Sequence, residues 1–237
     1  MLHHFTHPKP LAWFFFLLGL ATTVALGSWQ VQRLAWKEGL IAAIETANQA
    51  APLANVPREA AEQKAKEFYR VKLKGAWVEG VEFPVAARYY KGKLGYHLFT
   101  PFALADGRII IVNRGWVPAD LHDASTRPEL AAKGEATLIG MMRYGADRNY
   151  FTPPSQPEKT IWFGRDVAQM GASATLENVV PEVSVDLIGK QAWDKLPIPS
   201  SGEVKLRNDH LSYIITWYGI ALGILVIFLT YHRKPRA

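Results

Sequence analysis

Two long stretches of this sequence carry no charged residue, and they lie near its opposite ends. The first runs from Leu11 to Gln32 and the second from Leu211 to Tyr231. At roughly 1.5 Å per residue, each makes a helix of about 30 Å, which matches the hydrocarbon core of a bilayer. Lipid offers the backbone no hydrogen-bond partners, so a helix is the natural form for such a run. Both stretches are therefore expected to span a membrane. A cleaved signal peptide is the alternative for the first, since small residues stand near Ala25 and Gly27. Against it, a signal core is only about 7–15 residues long. Trp13 and Trp29 also stand at the two ends of the run, as interfacial anchors of a resident helix do.

Charge predicts the orientation. Outside the middle of the chain only Lys9, Arg233, Lys234 and Arg236 are basic, and no acid accompanies them. The middle holds the other 23 Lys and Arg with all 21 Asp and Glu, a net charge of +2. Basic ends stay on the cytoplasmic side, whereas a long loop can be translocated whatever its charge. The expected layout is a cytoplasmic tail over 1–10, spans over 11–32 and 211–231, an extracytoplasmic domain over 33–209, and a second cytoplasmic tail over 232–237. The sequence pI of 9.4 then reflects membrane orientation. No cluster of Arg and Lys interleaved with aromatics points to nucleic acid. The chain has no cysteine, which excludes disulfides, thiolate metal sites and a cysteine nucleophile.

The first helix is expected to continue beyond the membrane, because Trp36, Leu40, Ile41, Ile44 and Ala47 recur at helical spacing as far as Pro52. A short helix is expected around Arg58 to Glu67. From Phe68 the pattern changes to short β-type runs. Val71 to Lys74 alternates apolar and basic residues, and turns are expected at Glu79-Gly80, Lys91-Gly92 and Asp106-Gly107. Strands are predicted at Val85–Tyr90, Leu94–Phe102, Arg108–Val112, Glu135–Arg143, Thr160–Phe163 and Ser184–Leu187, with a helix starting at Asp166 as N-cap. The fold class is thus two transmembrane helices flanking an α+β domain that is mainly antiparallel β, a sheet or a partly closed barrel.

Enzyme signatures are missing: the sequence has no phosphate loop, no His-Glu-x-x-His and no Gly-x-Ser-x-Gly. Within the middle domain His97 and His122 read as surface or hydrogen-bonded structural histidines, since a metal needs several converging ligands. His210 is different. It stands at the outer mouth of the second span, where an ionisable group faces protein, water or a ligand. Tyr213, Ile214 and Trp217 follow at helical spacing and share its face. One imidazole beside a large aromatic can form a wall for a flat macrocycle, because haem iron commonly takes a histidine ligand. The plainer reading is an interfacial belt, with Asn208 or Asp209 capping the span. Both readings stay open on the residues alone. At the outer end of the first span lie Trp29, Gln30 and Arg33, the last placed to meet lipid phosphate, Asp209 or a ligand carboxylate. Gly219 and Gly223, like Gly19 and Gly27, would let another helix approach closely, either the second span or another membrane protein.

Four blocks of this sequence resemble the Surfeit-1 family of cytochrome c oxidase assembly factors. They are Leu26-Gly-Ser-Trp-Gln-Val-Gln-Arg-Leu-Ala-Trp-Lys37; Gly95-Tyr-His-Leu-Phe-Thr-Pro101 with Val112-Asn-Arg-Gly-Trp-Val-Pro118; Phe151-Thr-Pro with Ile161-Trp-Phe-Gly-Arg-Asp166; and Asn208-Asp-His-Leu-Ser-Tyr213 with Thr216-Trp-Tyr218. The resemblance implies a non-enzymatic role in assembling haem-copper oxidase in a bacterial inner membrane, with the domain in the periplasm. It implies subunit I of the oxidase, haem a synthase and membrane lipid as partners, and haem a as cofactor. His210 is then the iron ligand, Trp217 packs on the ring, and Arg33 meets a propionate. An assembly scaffold that grips oxidase subunits without haem is the alternative. Two departures stand out: Ile214 occupies a position where the family usually has a small residue, and Ser155 replaces a frequent Asn.

Overall fold

The computed structural model describes residues 4–5, 8–189, 195–203, 206 and 208–234. Arg236, part of the expected basic tail, lies outside the described residues. The chain divides into two compact units, one made of Met1–Ala43 with Lys205–Ala237, the other of Ile44–Val204.

The first unit is a pair of helices. Helix α1 spans Pro10–Gln49, with a proline at its first position, where the missing N–H costs nothing. It carries through the expected extension and stops before Pro52. The last long helix spans His210–Tyr231. Both are long and apolar enough to cross a membrane, and large side chains such as Phe14, Phe15, Ile215 and Ile227 stand exposed along them. The shielded positions of the second helix recur at steps of four and three, from His210 through Ile214, Trp217 and Ala221 to Ile224 and Phe228. That is the spacing of a two-helix seam. Its partners run the opposite way along α1. Phe16 stacks on Phe228 at 4.0 Å, a Cβ on Gly19 would meet Ile224 at 3.5 Å, and Ser28 shares a 3.1 Å hydrogen bond with the Tyr218 hydroxyl. The small-residue expectation therefore divides. Gly19 and Gly27 lie against the second helix, whereas a Cβ on Gly219 or Gly223 would meet open space.

The second unit is built on six strands: β1 Arg70–Trp77, β2 Phe83–Tyr90, β3 Lys93–Leu104, β4 Ile109–Pro118, β5 Glu135–Tyr144 and β6 Val179–Leu187. Strand β1 pairs with β5, β5 with β6, β6 with β4, β4 with β3, and β3 again with β1, which closes a barrel. Strand β2 lies on the same edge of β3 as β1, beside its first half. All pairings are antiparallel except β4 with β6. At the closure Gly75 faces Leu104, and a Cβ there would sit 2.0 Å from the Ala103 carbonyl oxygen. Only glycine lets the two backbones come so close.

Alternation along β4 decides what fills the barrel. Ile110 and Val112 belong to the interior cluster with Val71, Leu73, Phe102 and Val185. Ile111 points the other way, into a second cluster with Phe83, Val85, Trp162 and Met170. That outer cluster is covered by the short helix α3, Val167–Ser173, whose N-cap Asp166 accepts a hydrogen bond from the Gln169 N–H at 3.0 Å. The other short helix, α2, is Ala60–Ala65. The expected strand at Thr160–Phe163 does not form. Pro157 opens a 3-10 turn that ends with Thr160 in the left-handed region, and Ile161 and Trp162 then make only isolated bridges to Gln156 and Val85. The run is apolar because Trp162 is buried, not because it alternates across a sheet. The entry and exit of this unit are tied together: Asn48 donates through Nδ2 to the Gly202 carbonyl at 2.7 Å.

Candidate functional site

His210 opens the second long helix, and the structure gives it a partner. Its Nδ1 lies 2.6 Å from Oε1 of Gln30 on α1. A carbonyl oxygen only accepts, so the proton of this bond sits on Nδ1, and Nε2 takes no part in it. Gln30 is buried while His210 is half-buried, so the bond is anchored from inside the helix pair. Asp209 occupies the N-cap position, but its side chain makes no capping bond. Its carbonyl instead accepts from the N–H groups of Ser212 and Tyr213.

The other expected site residues are placed differently. Trp217 shares the face of His210 two turns along and is half-buried in the seam. Arg33 does not join them: it is exposed, and its guanidinium lies over the Trp36 ring at 4.5 Å. Gln30 carries no role in the sequence reading. Its only signal there is that it is an amide inside an uncharged run, where a polar group needs a partner.

Among the described residues no three His, Cys, Asp or Glu side chains converge on a metal position. A bare ion needs such convergence, whereas haem iron brings four ring nitrogens of its own and asks the protein for an axial ligand. Metal-bound histidines usually donate their second ring N–H to an oxygen, which fixes tautomer and ring orientation. The His210–Gln30 pair has that arrangement.

A second polar cluster lies in the barrel unit. Asn113 accepts from the Gly115 N–H at 3.1 Å and donates to Asp186 at 2.9 Å and to Nδ1 of His97 at 3.4 Å. Burial, assisted by the nearby Arg88 guanidinium, lowers the pKa of His97 to about 4. The ring is therefore neutral near pH 7, as an acceptor at Nδ1 must be. Behind it Trp116 donates from its indole N–H to the Arg88 carbonyl at 3.1 Å. Gly115, at φ 128°, lets the Ile198 segment bridge to Trp116, and a Cβ there would come within 2.2 Å of the Ile198 oxygen. A cavity of about 700 Å³ opens beside His97, Asn113, Trp116 and Asp186. His122 donates from Nδ1 to the Ala119 carbonyl at 3.1 Å and stacks on Tyr96. Both histidines are thus hydrogen-bonded parts of the fold.

The sequence model of the SURF1 family matches residues 17–222, from the first long helix into the last. The chain belongs to the SURF1 family. It is 35% identical over 225 residues to Surfeit locus protein 1 of Mus musculus, an alignment covering 89% of this chain and 72% of the mouse protein. Identity to the Homo sapiens protein of the same name is 34%, over 89% of this chain and 74% of that one. A SURF1-like protein of Drosophila melanogaster is 34% identical, over 94% of this chain and 77% of the fly protein. As a member of this family the chain is an assembly factor for cytochrome c oxidase. The matched span includes both Gln30 and His210.

Proposed function

We propose that this SURF1-family chain holds haem a at His210 in a bacterial inner membrane and passes it to subunit I of a haem-copper oxidase. The observation that carries this reading is the 2.6 Å bond between His210 Nδ1 and Gln30, which leaves Nε2 as the ring nitrogen to offer a metal. When bound, haem supplies an iron that takes an axial imidazole. His210 offers that ligand, Gln30 keeps its proton on the far nitrogen, and Trp217 lends an aromatic surface two turns further in. Arg33, engaged with Trp36, has no part in this arrangement as it stands. A half-buried ligand on an open helix pair favours lateral transfer over storage, since a carrier must release what it holds. Haem a synthase is the donor in this scheme and subunit I the acceptor. Both termini are cytoplasmic and the barrel is periplasmic, in keeping with the charge distribution.

The test is the haem content of the protein purified from cells that make haem a, measured as the pyridine haemochrome, beside a His210→Ala variant. The expected result is haem a in the parent and its loss, or a changed spectrum, in a folded variant. Absence of haem from the parent, or identical spectra in the two, would leave the scaffold that grips oxidase subunits without haem.

A further inference from the structure

The barrel unit presents two neighbouring aromatic side chains almost entirely to solvent. Tyr150 is 95% exposed and Phe151 87%, and the two rings meet edge to face at 5.4 Å. The turn that carries them is held by its own hydrogen bonds. Asn149 Oδ1 accepts from the Phe151 N–H at 2.9 Å, the Asn149 carbonyl from the Thr152 N–H at 3.1 Å, and Thr152 Oγ1 from the Asn149 N–H at 3.0 Å. Below it Asp147 accepts a 2.7 Å charged hydrogen bond from Arg88 in β2. That bond fastens the root of the turn to the β2–β3 hairpin. Further along the hairpin Tyr89 and Leu94 pair directly across the strands and are 71% and 49% exposed. Lys91 and Lys93 stand at its exposed tip. Neither the barrel core nor the reading of His210 uses any of these residues.

We propose that the 149–152 turn, with the adjoining hairpin tip, is a lipid-contact wedge that seats the barrel on an anionic bilayer surface. The small area of the two rings favours lipid over a stable protein interface. A stable protein interface takes about 800 Å² from each side, whereas two aromatic side chains supply roughly 150–250 Å² each. That is the scale of a shallow insertion into the headgroup layer, where a Tyr or Phe ring buries its face and a phenol keeps its hydroxyl wet. The bases nearby favour the same occupant. Arg88 and Arg148 stand at the root of the turn in ion pairs with Asp147 and Asp166, and Lys91 and Lys93 add basic side chains at the hairpin tip. Such basic flanks are drawn to anionic lipid headgroups. The barrel is joined through both of its chain ends to helices able to cross a membrane.

The absence of cysteine makes the test direct. The full chain carrying Phe151→Cys is labelled with a polarity-sensitive nitrobenzoxadiazole dye and placed in phosphatidylcholine–phosphatidylglycerol nanodiscs, with or without lipids bearing a nitroxide at the headgroup. A Glu129→Cys label is the control, and circular dichroism checks the fold. The wedge requires a blue-shifted emission that headgroup nitroxide quenches at position 151 but not at 129, and loss of that quenching when Tyr150→Ser is added. Water-like, unquenched emission at 151 overturns it. So does shielding that appears only when purified oxidase is added, which would make the turn a protein contact.

Discussion

Glu82 grips the buried Arg127 with both of its carboxylate oxygens, although 45 residues separate them. Arg114 bonds to the same carboxylate at 3.2 Å. Arg127 is 1% exposed, and its remaining bonds go to the Leu121 and His122 carbonyls, so the pair pins the irregular segment that follows β4. Two guanidinium groups around one carboxylate make the acid the vulnerable member.

Glu82→Ala is expected to cost about 3–5 kcal/mol of stability, the usual result of stranding a buried charge. Arg114→Ala should cost less, because Arg127 still satisfies Glu82. Denaturant unfolding of the two variants in the same detergent checks the order, and equal midpoints would contradict it.

Gln30 makes a prediction that separates a positioning role from a merely structural one. If His210 holds haem as proposed, Gln30→Leu, which removes the acceptor for His210 Nδ1, is expected to weaken haem retention by about 10–100-fold, as losing a metal ligand's orienting partner does. Gln30→Glu keeps an acceptor and should retain haem, with a shifted reduction potential and spectrum. If both variants bind as the parent does, Gln30 does not orient the ligand.

His97 sets a pH dependence whose sign follows from burial. Its folded pKa of about 4 lies below the ordinary histidine value of 6.5, so between those pH values the unfolded chain binds more protons than the folded one. Stability then falls as pH drops through that window, by on the order of 3 kcal/mol in total, and is unaffected by this group above it. His97→Gln is expected to flatten the dependence between pH 6.5 and 4, which unfolding midpoints taken across the window will show.

Gly115→Ala is expected to destabilise the barrel unit by roughly 2–4 kcal/mol, through backbone strain and overlap with the Ile198 carbonyl. Thermal unfolding measures this. A neutral outcome would mean that the Ile198 segment moves aside without cost.

What the sequence made legible was local. The charge-free runs located both long helices, and Asp106-Gly107 marked the hairpin between β3 and β4. Asp166 caps α3 where an acid before a short helix should. The antiparallel, partly closed character of the domain also followed from short alternating runs. Closure itself did not, because it depends on Gly75 meeting Ala103 and Leu104 across the barrel, a contact that leaves no periodic trace. Nor did the parallel pairing of β4 with β6, which needs the long excursion from Ala119 to Asn178. Thr160–Phe163 misled because a buried tryptophan in a loop has the same composition as a strand. At the candidate site His210 and Trp217 were readable from spacing on one helix. Gln30 was not, since its partner is 180 residues away and only packing brings the two helices into register.

The bond between Asn48 and Gly202 gives the barrel a particular standing in the chain. A domain whose first and last residues meet is, topologically, an insertion: excising it leaves two helices that a short turn would join. The helix pair and the barrel can therefore change by separate routes, the helices under the demands of their own seam and the barrel under those of its surroundings.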